Sequence, residues 1–299
     1  MAVNPISLEL EYEKNPNISR EDIKVFRDWL MTQPHLPGKF ITDLDLILAY
    51  HCCDRSLAVA QSVLDLHYTQ RSLHSFLNER VVDRNIEMCL NTVLFALLPE
   101  YDVDGNNVLY VRLNDPDPKK FVFFDSVKTF MMIFDLYQCG AGTCLGGRLI
   151  IDMDAATFSH VTKIEITTLK HILYFIQECM LIKINGVNFL NAPYFMDKVM
   201  MLIRPFLKKA LLDIINIHPV GDTSIFDIVP KRLFPKECGG EFMDFKSNTA
   251  YVIHRLKSNS AFFDEEAKKR VQESLRPGEK GVTADIYSIQ GSFKKLDID

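Results

Sequence analysis

The stretch from Leu181 to Ile214 constrains the fold more than any other part of the chain. It opens on a β-rich apolar run, Ile182 to Leu190, interrupted at Gly186. Asn191-Ala192-Pro193 then offers a cap, a bend and a helix start, because Asn caps well and Pro suits a first helical turn. The helix this predicts carries two apolar stripes side by side. Phe195, Val199, Leu202 and Phe206 form one, and Met196, Met200, Ile203 and Leu207 form the other. Together they make an arc wider than one packing face needs. Pro205 removes a backbone hydrogen bond and predicts a kink or break. Such a helix is either a buried crossover in an α/β domain or a lid that closes an apolar cavity with soft Met side chains.

The flanking patterns supply the context. Ser19-Arg20-Glu21-Asp22 reads as a capping box, with Asp for the usual Glu or Gln, ahead of Ile23, Phe26 and Leu30 at helical spacing. His35-Leu36-Pro37-Gly38 is a turn, and Thr42-Asp43 opens a second helix running to Cys53. Asp54 is placed to cap a third helix to Arg71, and a short one spans Asn85 to Leu97. From Asn107 the period changes. Val108 to Leu113 reads as a strand between turn signals, and Phe121 to Cys139 as a helix dense in Phe and Met. Arg148 to Met153 is a continuous apolar strand, Ile164 to Met180 an amphipathic helix, Ile214 to His218 a short strand and Ser224 to Val229 a small helix. This alternation predicts a mainly parallel sheet covered by helices. The chain therefore reads as an all-helical lobe over 1–98, an α/β domain over 99–243, and a polar C-terminal extension over 244–299 packed on that domain. Within the extension, Arg276 to Gly281 reads as a loop.

Composition removes several functions. A net charge of −5 argues against general nucleic-acid binding. Seven scattered Cys, an odd number, suit a reducing compartment better than a disulfide framework. The N-terminus lacks the basic and apolar regions of a secretory signal, and the most apolar window, Ile164 to Val187, carries Lys170, Glu178 and Lys183. A cytoplasmic protein with at most peripheral membrane contact is expected. Gly140-Ala141-Gly142 and Gly146-Gly147 precede a strand and lack dinucleotide-loop spacing, so they read as a glycine turn. Cys139 with Cys144, and Cys52 with Cys53, lack the second ligand pair of a zinc site. No G-x-S-x-G elbow is present. Asp152 and Asp154 share one strand face and could act as acid and base, or close the turn after the strand. No cofactor, metal or enzymatic activity is implied.

The lid segment, Asn191-Ala192-Pro193 to Arg204-Pro205-Phe206-Leu207, resembles that of the CRAL-TRIO (Sec14-like) lipid-binding family. Ile150-Ile151-Asp152-Met153-Asp154, Phe158-Ser159-His160 and Leu233-Phe234-Pro235-Lys236-Glu237-Cys238-Gly239-Gly240 resemble further family motifs in the same order. The last is similar to an LPxEYGG close, with Phe for Leu and Cys for Tyr. Within the family the chain is most similar to the α-tocopherol transfer protein and cellular retinaldehyde-binding protein branch in its insect form, whose tail Ile289 to Leu296 resembles.

The resemblance implies a Sec14-like α/β fold with a helical lid over an apolar pocket, preceded by a small helical lobe. It implies non-catalytic binding and transfer of a small lipophilic ligand, of tocopherol, retinoid or similar class, by a monomer. The alternative is phospholipid or phosphoinositide exchange or sensing of the Sec14 type. Candidate pocket residues are Phe130, Phe134, Ile151, Ile172, Phe175, Ile176, Ile182, Ile184 and Val187, with Met196, Val199, Met200 and Ile203 from the lid. Phe130 and Phe134 stand where the branch has small hydroxyl residues, which implies a pocket without those polar anchors. The branch also binds phosphoinositide headgroups through basic residues, one of which Lys183 matches. Cys53, Asn185, Ala210 and Ile214 replace others, and His51 and Cys53 stand for arginines of the N-terminal lobe. Lys183, Arg204, Lys208 and Lys209 remain as a weaker patch for transient contact with anionic membranes.

Overall fold

The computed structural model describes residues 2–277, so the Ile289 to Leu296 tail lies outside the described residues. Six helices come first: α1 (Leu8–Lys14), α2 (Arg20–Met31), α3 (Asp43–Cys52), α4 (Leu57–Leu73), α5 (Ser75–Asn78) and α6 (Arg84–Thr92). The sheet region follows as β1 (Val93–Leu97), β2 (Asn107–Leu113), α7 (Phe123–Ala141), β3 (Gly147–Asp152), α8 (Phe158–Val161), α9 (Ile166–Glu178) and β4 (Ile184–Ala192). It closes with α10 (Met196–Ile203), a 3-10 turn (Arg204–Phe206), α11 (Lys209–Leu212) and β5 (Ile215–Pro219), and then come α12 (Phe245–Lys257) and α13 (Ser260–Glu266).

Local chemistry sets several of these boundaries. Ser19 with Asp22, and Thr42 with Asp45, form reciprocal capping boxes at the starts of α2 and α3. Pro205 ends α10 as expected, with a 3-10 turn taking over at Arg204. Other expectations give way. Asp54 caps nothing: it sits at positive φ and pairs with Lys183, while Ser56 occupies the N-cap position of α4. The helix expected through Leu97 stops at Thr92. Val93–Leu97 instead pairs antiparallel with β2, and the Thr92 carbonyl accepts from the Asn114 and Asp115 amides at 2.8 and 3.1 Å. A run apolar on both faces gains more from a ladder partner than from a further helical turn.

The sheet has the order β1-β2-β3-β4-β5, with β2 to β5 parallel. Crossovers that all step in one direction and share the usual right hand put their helices on one face. The opposite face, with Leu94, Ala96, Val108, Tyr110, Ile150 and Leu190, is covered by Ile225, Val229, Leu233 and Phe234 of the segment after β5. Val252, Leu256 and Phe263 of α12 and α13 pack on Ile86, Leu90 and Phe95. Asn248 donates to the Phe95 carbonyl at 2.9 Å, which helps cover the edge strand. The chain then crosses the N-terminal helices, where Gln272 N donates to the His35 carbonyl and Val271 N to Ser72 Oγ, each at 2.8 Å. The glycine turn after α7 receives α1: Gly142 has φ +70°, and a Cβ there would lie 2.0 Å from Oε1 of the buried Glu11.

Candidate ligand cavity

The sheet does not pack solidly onto the helices that cross it. Between them lies a cavity of about 390 Å³, inside the roughly 300–1,000 Å³ range of small-molecule sites. Strand alternation supplies its floor. Phe95, Leu109, Val111, Leu149, Ile151, Val187, Phe189 and Ile215 line it, while their neighbours Val108, Tyr110 and Ile150 face the opposite core. Helix α7 adds Phe123, Val127, Phe130, Phe134 and Tyr137, one stripe at helical spacing. Helix α9 adds Leu169, Ile172, Leu173 and Ile176.

Phe130, Phe134, Ile151, Ile172, Ile176, Ile182, Ile184, Val187, Val199 and Ile203 stand on the wall, where the sequence suggested them. Phe175, Met196 and Met200 do not. Phe175 falls beyond the edge of the Leu169, Leu173 and Ile176 stripe and packs on His67 of α4, ring centroids 5.5 Å apart. Helix α10 presents the seam between its two stripes, Val199 from one and Ile203 from the other. Met196 and Met200 are buried beside that seam, in the cluster of Leu169, Phe189 and Phe195. Sequence reasoning missed the contribution of β1, for which the strand-length run Val93–Leu97 before Pro99 was the available signal. It also missed Tyr137, although it continues the helical spacing of Phe130 and Phe134, and Asn107 and His160, whose side chains carry no periodic signature.

Asn191 is not the cap of the lid helix. It is the penultimate residue of β4, at φ +50°, and its Nδ2 donates to Asp152 Oδ1 at 2.8 Å. Helix α10 starts at Met196 after Phe195, with no side-chain cap. Its outer side exposes Met201 at 72% beside Asp197 and Lys198, and Tyr194 on the approach is 94% exposed.

A model of the CRAL/TRIO domain matches residues 91–240, half of the chain and nearly all of the cavity-bearing region. The chain belongs to the CRAL/TRIO family. Clavesin-1 of Pongo abelii is 26% identical over 247 residues, covering 80% of this chain and 69% of that protein. Clavesin-2 of Homo sapiens is 24% identical over 257 residues, covering 83% and 77%. The crystal structure of Sfh5 aligns at a TM-score of 0.42 and 12% identity, covering 92% of this chain and 99% of that one. CRAL/TRIO proteins bind and transfer lipids and are generally non-catalytic.

In this CRAL/TRIO chain the acidic pair at the end of β3 is engaged. Asp152 accepts from the Tyr110 hydroxyl at 2.5 Å and from the Asp154 amide at 2.9 Å, and Asp154 accepts from Arg112 Nη2 at 3.1 Å. The basic residues are divided. Lys183 is paired with Asp54, and Lys208 with Glu178 at 2.5 Å, whereas Arg204 and Lys209 are exposed at the end of the lid segment. Asn185 donates to Asn106 Oδ1 at 2.7 Å, and Cys53 Sγ lies 3.8 Å from Cys52 Sγ. Ala210 is exposed and Ile214 half-buried. No helix of the described residues is long and apolar enough to cross a membrane.

Proposed function

We propose that this CRAL/TRIO protein binds one small lipophilic molecule in the cavity between the sheet and helices α7, α9 and α10, and carries it between membranes. The observation that carries the reading is the cavity itself, about 390 Å³ and walled by Phe, Ile, Leu and Val from every strand of the sheet. Burying apolar surface there contributes about 25 cal/mol per Å², enough to hold a hydrocarbon body without a headgroup site. Phe130 and Phe134 reduce the space on the α7 side, so a ligand held by shape fits better than one anchored by hydroxyls on that helix. Within the family, the likeness of the sequence and of its Ile289 to Leu296 stretch supports the insect form of the α-tocopherol transfer and retinaldehyde-binding branch.

Entry requires α10 to swing away, because Val199 and Ile203 close the cavity wall. Tyr194 and Met201, exposed on the same segment, are suited to doing this at a membrane surface. The protein then acts as a cytoplasmic monomer, with the helices before β1 as a supporting lobe and α12 and α13 packed beside β1 ahead of the segment that crosses that lobe. Native mass spectrometry of protein purified from its own cells, with solvent extraction of the bound species, tests the reading. One phosphorus-free lipophilic compound at unit occupancy is expected. A reproducible phospholipid would instead favour Sec14-type exchange, and empty protein under all conditions would remove the ligand-carrying role.

A further inference from the structure

One ring on the cavity wall has its hydrogen bonding only half complete. His160, on α8, is 5% exposed and lines the cavity. Its Nδ1 accepts from the Thr157 backbone amide at 3.1 Å and lies 2.9 Å from Thr157 Oγ1. A backbone N–H can only donate, so Nδ1 carries no proton and the neutral ring holds its proton on Nε2. Burial pushes the histidine below the ordinary imidazole range, which keeps the ring neutral. Nε2 has no hydrogen-bond partner among the described residues. Buried donors are nearly always satisfied, and an unpaired one bears its full desolvation cost.

Other polar groups on the wall are occupied. Arg148 Nε donates to Asp102 at 2.5 Å, Arg112 Nη2 to Asp154 at 3.1 Å and Ser126 Oγ to the Val122 carbonyl at 2.9 Å. Asn107, at the start of β2, also leaves its amide nitrogen without a hydrogen bond, but there the Tyr137 hydroxyl and Cys144 thiol interact with the side chain. A water at His160 would need two or more polar partners. Phe121 lies beside the ring, centroids 5.6 Å apart, and the Asp117 carboxylate, whose charge acts on the imidazole, makes no hydrogen bond to Nε2.

We propose that the His160 Nε2–H is a specificity-determining donor: the lipophilic ligand carries an acceptor oxygen, as a carbonyl, ester or hydroxyl, and places it at the α8 end of the cavity. The inference rests on the reading of the cavity as a ligand site. A pure hydrocarbon would fill the same volume and leave the donor unpaired.

The test uses the full chain loaded with the fluorescent reporter N-phenyl-1-naphthylamine, displaced by tetradecanal or by tetradecane delivered from cyclodextrin. The ratio of the two affinities, compared between proteins, cancels their different solubilities. His160→Asn sets an amide oxygen near the place of Nδ1, keeping the Thr157 contact, and has no donor at the place of Nε2. His160→Gln reaches that place with an amide nitrogen. The aldehyde-to-alkane preference should fall roughly five- to tenfold in His160→Asn and stay within about twofold of wild type in His160→Gln. Reporter binding in each variant checks the fold. A preference unchanged in His160→Asn, with the Nε2 proton then spent on the Phe121 ring 5.6 Å away, overturns the proposal. So does an equal loss in His160→Gln. Failure of the reporter and both probes to bind wild type removes the ligand-cavity reading itself, and this inference with it.

Discussion

The Arg71 guanidinium on α4 donates through Nη1 to Asp135 Oδ1 on α7 at 3.1 Å, and Arg80 shares the same carboxylate. All three side chains are buried. Asp135 follows Phe134 of the cavity wall, so this cluster fastens the N-terminal helices to the helix that forms one side of the cavity. Burial pushes the Asp135 carboxyl upward, and the Arg71 and Arg80 charges outweigh it, holding the group below the usual carboxylate range.

Asp135→Ala should therefore destabilise the protein by about 3–5 kcal/mol, because two guanidinium groups lose their shared counter-charge in a dry site. Urea unfolding of the variant checks this. A loss below about 1 kcal/mol would show that water reaches the cluster and that the pair behaves as a surface bridge.

Stability should also fall as the pH drops below neutrality. His67 Nδ1 lies 2.8 Å from the Cys179 carbonyl, and burial followed by the Arg71 charge pushes the imidazole down to about 3. A base whose folded pKa is depressed binds fewer protons folded than unfolded. Its stabilising contribution is full above about pH 6.5 and is lost as pH falls toward the folded value, at up to about 1.4 kcal/mol per pH unit. Urea midpoints between pH 7 and 5 should decline in wild type and decline less in His67→Asn. Parallel slopes in the two proteins would assign the acid sensitivity elsewhere.

Placing a charge on the cavity side of the lid should weaken ligand binding. Ile203→Asp should cost at least ~2 kcal/mol of affinity for an apolar reporter, from lost buried area and a desolvated carboxylate. Met201→Asp, on the exposed side of the same helix, should leave affinity within about 0.5 kcal/mol, as surface substitutions do. Fluorescence titration separates the two, and equal effects would mean that α10 does not close the site.

Membrane attraction should depend more on the end of the lid than on Lys183, whose charge is already paired with Asp54. Each well-placed basic group near an anionic surface contributes about 1 kcal/mol, screened by salt. Arg204→Ala/Lys209→Ala should thus weaken liposome co-sedimentation by about 1–2 kcal/mol, equally on phosphatidylserine and on bisphosphorylated inositide at matched charge, while Lys183→Ala changes little. Inositide-only binding that is abolished by Lys183→Ala would contradict this diffuse attraction.

Sequence alone determined the features whose physics is local. Ser19 with Asp22 and Thr42 with Asp45 satisfy helix ends through contacts three residues apart, and Pro205 stops α10 through its own missing N–H. The continuous apolar strands and the Leu181 to Ile214 stretch carried the α/β architecture and part of the cavity wall, because strand period and helix period decide which residues can turn inward together. Tertiary structure decided the rest. Val93–Leu97 became a strand because β2 was there to pair with it. Asn191 turned from a cap into a partner of Asp152, across a separation that sequence does not display. Phe175, Met196 and Met200 belong to apolar arcs that are wider than the void they border, so the packing of neighbouring elements chose which part of each arc meets the cavity and which meets solid core. The lone donor of His160 arises in the same way, since whether a buried polar atom finds a partner depends on every element that surrounds it.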